Sequence, residues 1–267
     1  MKLPALFLNL LYLAVLTSSA HAANWSATEL QLTHGNLTTP GFINGGEVRK
    51  AQTTLITFQH ASGWDYGNNF FFIDYLDDDN DDGFNNGDFY GELYLNFSLG
   101  SITGKDLGFG PIKDVGLLAG LNIAGDAKSR KFLPGIRFSW DLPKGSVLNT
   151  DVMAYLDHSK GLAGGGAPAQ TDSYIIDFNG LYPFQWGSQY FLIAGHIEYI
   201  GARENELGGE VAEWILAQPQ FRWDLGHALW QVKDQLYLGI EYQYWKNKLG
   251  EKGTTESVPQ LQLVWRL

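Results

Sequence analysis

The residues from Phe89 to Leu99, FYGELYLNFSL, alternate without interruption. Phe89, Gly91, Leu93, Leu95, Phe97 and Leu99 fall on one face of an extended chain, and Tyr90, Glu92, Tyr94, Asn96 and Ser98 on the other. A soluble sandwich would turn the apolar face toward a dry core. A membrane barrel would turn it toward lipid and enclose the polar face.

The period-2 pattern recurs along the chain and predicts twelve strands, near residues 25–35, 48–60, 69–77, 89–99, 112–124, 130–141, 147–157, 174–179, 190–199, 214–223, 236–244 and 260–267. The cleanest sets Leu236, Leu238, Ile240, Tyr242 and Tyr244 against Tyr237, Gly239, Glu241 and Gln243. Two strands look irregular. Pro134 cannot donate to a ladder and predicts a bulge. The apolar positions shift from Trp214 and Leu216 to Phe221 and Trp223, which predicts an extra residue near 217–219.

Two features favour the inside-out arrangement. Tyr75, Trp140, Trp223, Tyr244 and Trp265 stand near strand ends, where interfacial girdles belong. Asp74, Glu92, Arg137, Asp177, His196, Glu198, Glu213, Arg222, Glu241 and Arg266 sit within strands beside aromatics, as lumen residues would. The fold expected is an all-β, transmembrane, antiparallel up-and-down barrel of about 12 strands, monomeric, with both termini periplasmic. The loops 36–47, 77–88, 158–170, 201–210 and 247–256 then face outward.

At the amino terminus, Lys2, an apolar run from Leu3 to Leu16 and Ala20-His21-Ala22 read as a secretory signal peptide over 1–22, leaving the barrel to 23–267. The run is short of the ~20 apolar residues that cross a bilayer as a helix. With no Cys, disulfides cannot staple this exported chain, and a closed barrel holds itself together by hydrogen bonding and burial without leaving edges. The net charge of −11 argues against nucleic-acid binding, because phosphate contacts need clustered Lys and Arg.

A turn follows the opening strand, and its residues carry a family resemblance. Phe89-Tyr90-Gly91-Glu92, Thr103-Gly104-Lys105-Asp106-Leu107, Phe109-Gly110-Pro111 and Lys113-Asp114-Val115 resemble the Tsx/OmpK outer-membrane proteins. Weaker echoes are His60–Trp64, Asn69–Asp74, Leu133-Pro134-Gly135 and Tyr182-Pro183-Phe184. The resemblance implies a twelve-stranded barrel in the outer membrane of a Gram-negative bacterium, with a narrow lumen that passes nucleosides. It also implies, for some members, service as phage receptors through extracellular loops.

A neutral nucleoside needs aromatic faces for its base and carboxylates or amides for its ribose hydroxyls. Stacking on an aromatic contributes ~1–3 kcal/mol, weak enough to permit escape. The inward positions that supply such groups are Phe70, Phe72, Asp74, Tyr90, Glu92, Tyr94, Arg137, Tyr155, Asp177, Tyr190, Glu198, Tyr237 and Glu241. A passive channel for nucleosides or similar small polar solutes, with no cofactor and no enzymatic activity, is the function expected. The bland alternative is that these residues only fill the barrel, giving a structural or receptor protein.

Two other motifs carry chemistry. His60-x-Ser62, near Asn68 and Asn69, has the spacing that puts a histidine and a nucleophile on one side of a strand, as an outer-membrane lipid hydrolase would require. Asp78, Asn80 and Asp82 match the first half of a calcium-binding loop, but Phe89 stands where a bidentate glutamate belongs, so a solvated acidic loop is the plainer reading.

Overall fold

The computed structural model describes residues 23–80 and 82–267, so the signal peptide expected over 1–22 lies outside the described residues. Nine strands run in sequence: β1 (Trp25–Thr39), β2 (Arg49–Trp64), β3 (Gly67–Asp78), β4 (Asn86–Ser98), β5 (Ile112–Ala124), β6 (Ser129–Trp140), β7 (Val147–Asp157), β8 (Ser173–Trp186) and β9 (Gln189–Ile200). A small hairpin, β10 (Arg203–Glu204) and β11 (Glu210–Val211), precedes β12 (Trp214–Ala217) and β13 (Gln220–Asp224). β14 (Leu236–Lys246) and β15 (Thr255–Arg266) complete the sheet. Neighbours pair antiparallel, and β15 returns to β1 with Glu29 opposite Arg266, so the sheet closes. β12 and β13 lie between the same neighbours, β9 and β14, and form one stave of a twelve-stranded barrel.

Closure matters because a strand surrounded by hydrocarbon has no water for its N–H and C=O groups, and only a sheet without edges satisfies them all. Among the described residues no helix is long and apolar enough to cross a membrane. Two short α-helices among the described residues, α1 (Leu99–Thr103) and α2 (Leu225–Trp230), cap connections. Each is started by a side chain: Ser98 Oγ accepts from the Ser101 amide and Asp224 from the His227 amide.

The burial pattern is inverted relative to a soluble protein. Ile240 is 51% exposed, Leu117 52% and Ile197 50%, whereas Gln262 and Thr53 are 0% and Asp151 is 1%. Exposed apolar side chains form the outer band; charged and amide side chains fill the inside. Aromatic residues rim the band at both ends, with Trp25, Tyr66, Trp186 and Trp265 at one and Phe42, Phe89, Tyr174 and Tyr242 at the other. The first rim surrounds the start of β1 and the end of β15, the tight turns Asp65-Tyr66 and Gly187-Ser188, and the connections carrying α1 and α2. The loops after β1, β3, β5, β7, β9 and β14 gather at the opposite end.

Neither bulge expected from the sequence forms where it was placed. At Pro134 the ladder to β5 is unshifted, and the pairing with β7 skips Leu133 and Pro134 and resumes in the same register. A missing N–H here interrupts hydrogen bonding without adding a residue. At Gln218 and Pro219 the ladder is interrupted again, yet the register on both sides is the same before and after. Trp214 and Leu216 therefore keep the inward parity of Arg222, and they pack into an apolar patch of the inner wall with Leu133, Met153, Tyr155, Ile175 and Ile200. The apparent phase shift was an apolar stretch of lumen. Glu213 falls on the opposite parity and is exposed outside the lumen.

Gly195 is what lets the proline pass. It adopts a φ of +126°, and a Cβ there would stand 2.1 Å from the Gln218 carbonyl oxygen. The register shifts that do occur sit at strand ends, between Leu76 and Asp77 and between Ile112 and Asp114.

The inverted burial makes a direct prediction. Ile240→Arg, at the middle of an exposed face, should destabilise the folded barrel in lipid by roughly 2–4 kcal/mol, the usual cost of a cation at the bilayer midplane. Urea titration of the vesicle-inserted protein, with Ile240→Val as the near-neutral control, measures it; an unaffected arginine variant would contradict the outward apolar band.

Candidate functional site: the hydrogen-bonded lumen

The alternation that sends Leu and Ile outward sends every second residue into a lumen about one side chain deep, where polar groups can be satisfied only by one another. Around Glu29 on β1, Arg222 from β13 donates from Nη1 at 2.9 Å and Arg266 from Nη2 at 2.8 Å, while Gln31 and Gln59 donate at 3.1 and 3.0 Å. Arg222 reaches Glu29 past β14 and β15, so this contact runs across the inside rather than along the ladder. On the other side Arg137 grips Asp151 with Nε at 2.7 Å and Nη2 at 2.6 Å, and its Nη1 reaches Asn68 on β3 at 3.1 Å. Both arginine centres lie toward the end where β1 begins and β15 ends.

A chain of hydrogen bonds joins them. Asn179 donates to Asp151 and Asp177 at 2.9 and 2.6 Å, and Asp177 meets His196 Nδ1 at 3.0 Å. His196 Nε2 meets the Gln218 side-chain Oε1 at 2.9 Å, and Gln218 Nε2 donates to Gln243 at 3.0 Å. Gln260 bridges Gln243 and Glu241 at 3.3 and 3.0 Å; Gln220 donates to Glu241 at 2.6 Å and accepts from Arg222 at 2.5 Å. Both partners of His196 are acceptors, the arrangement of a ring that donates from both nitrogens.

Between the arginines and the loops lie the carboxylates of the expected site. Glu92 accepts from Tyr90 Oη at 2.5 Å, Tyr94 Oη at 2.9 Å and Asn122 Nδ2 at 2.9 Å. Asp74 accepts from Thr57 at 2.5 Å, and Glu198 from Trp214 Nε1 at 3.2 Å. None of Asp74, Glu92, Glu198 or Glu241 forms a salt bridge among the described residues; Asp177 has His196. Gly120 on β5 leaves room for the Tyr94 ring that donates to Glu92, since a Cβ there would lie 2.9 Å from it. Phe72 packs against Tyr90, with ring centroids 6.0 Å apart, and Phe70 against Phe72 at 6.1 Å.

The residues picked from the pattern thus divide into three groups. Phe70, Phe72, Asp74, Tyr90, Glu92, Tyr94, Tyr155, Asp177, Glu198 and Glu241 face the middle and loop-side half. Arg137 belongs to the ion pair with Asp151. Tyr190 and Tyr237 stand toward the end where β1 begins and β15 ends; there Lys233 lies 3.6 Å over the Tyr190 ring and Tyr237 donates to Asp234 at 2.6 Å. The sequence reading missed the amides Asn122, Asn179, Gln218, Gln243 and Gln260, which connect the charges. It also missed Trp214, whose inward parity was hidden by the supposed bulge.

The loops beyond the lumen are laced to one another. Glu206 Oε1, on the β10–β11 hairpin, accepts from the Leu162 amide at 2.7 Å and the Ala169 amide at 2.9 Å in the β7–β8 loop. Those two amides hold its carboxyl below the usual glutamate pKa. Glu251 accepts in the same way from the Gly41 and Phe42 amides, both at 2.9 Å.

The two other motifs resolve into local contacts. His60 Nδ1 bonds Thr28 Oγ1 at 2.8 Å and Ser62 Oγ accepts from Asn69 at 2.9 Å, so each half of the supposed catalytic pair is engaged elsewhere. Asp78 and Asp82 turn back onto the amides of Asn80 and Phe84, both at 3.0 Å, and no cluster of three metal-ligating side chains forms among the described residues.

A closed twelve-stranded sheet, exposed apolar outside, aromatic at both rims and polar within, defines an outer-membrane β-barrel of the channel-forming kind. Residues 32–262 match the family described as nucleoside-specific channel-forming protein, Tsx, and the chain belongs to that family. Solved barrels are similar to the chain at low sequence identity. The NanC porin superposes with a TM-score of 0.51 at 10% identity, covering 89% of this chain and 100% of that one. The KdgM porin gives 0.47 at 6% identity over 89% and 98%, and an outer-membrane channel of Pseudomonas putida F1 gives 0.48 at 11% over 94% and 100%. No curated protein matches the chain in sequence.

Two outcomes test this geometry. Glu29→Ala should destabilise the barrel by roughly 3–5 kcal/mol, because it leaves Arg222 buried beside an empty position, read as a lowered urea midpoint. Glu206, whose folded pKa is depressed, supports its loop contacts fully above the unfolded value of 4.5 and loses that support as pH falls below it. Hydrogen exchange at the Leu162 and Ala169 amides should therefore accelerate at low pH in the wild type beyond the intrinsic trend, and not in Glu206→Gln.

Proposed function

We propose that the protein is a passive channel of a Gram-negative outer membrane for nucleosides or similar small polar aromatic solutes, oriented with both termini in the periplasm and the loops after β1, β3, β5, β7, β9 and β14 outside. The observation that carries this reading is the set of inward carboxylates without cationic partners beside inward aromatic rings. Glu92, held by two tyrosine hydroxyls and an amide, can exchange those hydrogen bonds for solute hydroxyls at little net cost, since one set of donors replaces another. Phe70, Phe72, Tyr90, Tyr94 and Tyr155 supply the faces for a base. Each contact is weak, and a series of weak sites is what conduction needs.

A receptor role on the outer loops is favoured by one specific feature and is compatible with conduction. Leu207 is 71% exposed and Phe42 57%, apolar side chains offered at the loop tips. A lipid-hydrolase reading has no comparable support, given the separate partners of His60 and Ser62.

Liposome swelling with the purified protein should be faster for nucleosides than for sugars of similar mass. Glu92→Gln combined with Tyr94→Phe should reduce that preference about 3–10-fold, in line with the loss of one charged hydrogen bond and one hydroxyl. Equal permeation by both solute classes through the wild type would remove the proposal.

A further inference from the structure

The β10–β11 hairpin sits in the loop-end mouth without belonging to the barrel wall. Its two strands pair with each other in a sheet separate from the closed one, so the hairpin can shift without breaking any rung of the barrel ladder. Val211, on the hairpin, packs onto the apolar inner wall of Leu133, Met153, Ile175 and Ile200. Those four wall residues are only 0–2% exposed, so the hairpin's side of the mouth is filled in this structure. A solute taking that side must first displace the hairpin.

Opposing tendencies meet in this element. Burial of Val211 favours closure, whereas Arg203, buried at the start of β10, opposes it. Its one hydrogen bond runs from Nη1 to the Gly201 carbonyl at 3.1 Å, and Nε and Nη2 have no partner among the described residues. Other basic side chains buried to the same degree have carboxylates: Lys131 with Asp157 at 2.8 Å, Arg137 with Asp151, Arg222 with Glu29, and Lys248 with Glu256 at 2.9 Å. The Trp214 and Tyr155 rings, centred 4.2 and 5.1 Å from the Arg203 guanidinium carbon, cover the cation but leave two N–H groups unanswered. That arrangement is costly, and water would relieve it. What holds the hairpin down lies at the loop tips. Glu206 accepts from the Leu162 and Ala169 amides, the Thr171 amide donates to the Glu204 carbonyl at 2.8 Å, and the Ala212 amide donates to the Gly250 carbonyl at 2.9 Å. Lys252 and Glu210 add an exposed ion pair at 3.3 Å. Water can compete for such clasps one at a time, the property of segments that open locally.

We propose that the β10–β11 hairpin is a lid, shut in this structure, that swings away from the mouth about its two ends, frees Arg203 to water and opens a path along the inner wall of β6 to β9. The lid rests on the channel reading above. It makes opening of the hairpin, rather than the width of the closed barrel, the step that admits solute.

A disulfide bolt tests the lid, and because the chain has no Cys only the intended bridge can form. Gln170 and Asn205 face each other across an antiparallel bridge between the β7–β8 loop and the hairpin. The Thr171 amide donates to the Glu204 carbonyl and the Glu206 amide to the Ala169 carbonyl on either side of them. Theirs is therefore a non-hydrogen-bonded pair, with Cα atoms about 4.5 Å apart and within disulfide reach. In planar lipid bilayers, Gln170→Cys combined with Asn205→Cys should lose most of its conductance when oxidised and recover it in dithiothreitol, which should leave the wild type unchanged. Glu206→Ala should raise the open fraction about three- to tenfold, the scale of lost hydrogen bonds. Arg203→Met should lower the open fraction and raise the melting temperature, because an apolar side chain replaces an unpaired buried charge. Heat-modifiable electrophoretic mobility reports whether each variant is a folded barrel. Equal conductance of the bolted protein before and after reduction overturns the lid, and nucleoside-selective swelling that persists in that case leaves the channel reading standing. If no form conducts, the channel reading falls and the lid is decided without transport. A membrane-impermeant maleimide should then label Val211→Cys about three- to tenfold faster when Glu206→Ala is added, and an equal rate in both overturns the lid. The same labelling decides the matter if the engineered bridge does not form.

Discussion

The backbone's need for hydrogen-bond partners in a medium that offers none governs this structure. β1 finds β15, the last possible edge disappears, and every strand becomes interior to the sheet. Once closed, the sheet leaves each residue only two places to go. The outer place is hydrocarbon and accepts Leu, Ile, Phe and Val. The inner place is a cylinder so narrow that side chains three strands apart touch, as Arg137 touches Asn68 and Arg222 touches Glu29.

A narrow polar interior has its own constraint, since a charge shut away from water must be neutralised or shared. Arg137 and Arg222 are neutralised by direct pairing, and amides distribute the remainder. Asn179, Gln218, Gln243 and Gln260 each touch two or more partners and turn separate ion pairs into one connected web. A web of this kind rigidifies the barrel, because moving one member strands its neighbours. It is also a surface of exchangeable hydrogen bonds, so the same amides and carboxylates that hold the wall can be lent to a passing solute. Stability and permeation draw on one set of groups.

The interior is not uniform. β5 to β9 and β12 contribute Leu118, Leu133, Met153, Ile175, Ile200 and Trp214 to an apolar inner patch, while β13 to β15 and β1 to β4 present Glu29, Gln31, Asp74, Glu92, Glu241 and Gln262. A solute with a flat face and a polar edge meets both kinds of wall. The laced loops at one end keep this arrangement in register with the mouth. Glu206 and Glu251 each hold two backbone amides of a neighbouring loop, and Arg203 is carried on the hairpin that Glu206 fixes.

The alternation of FYGELYLNFSL, repeated a dozen times, determined by itself the strand count, the two faces of each strand and the list of inward aromatics and carboxylates, because a period of two is a local property of extended chain. The motifs of the turn after it were enough to point to the family. What only the tertiary structure decided were relations between residues distant in the chain: that Pro134 and Pro219 interrupt the ladder without shifting it, that Trp214 faces inward, and that Arg222 answers Glu29 from three strands away. Arg203 belongs to the same category. Nothing in the letters around it distinguishes a paired arginine from an unpaired one, since pairing depends on which carboxylates the closed sheet brings within reach.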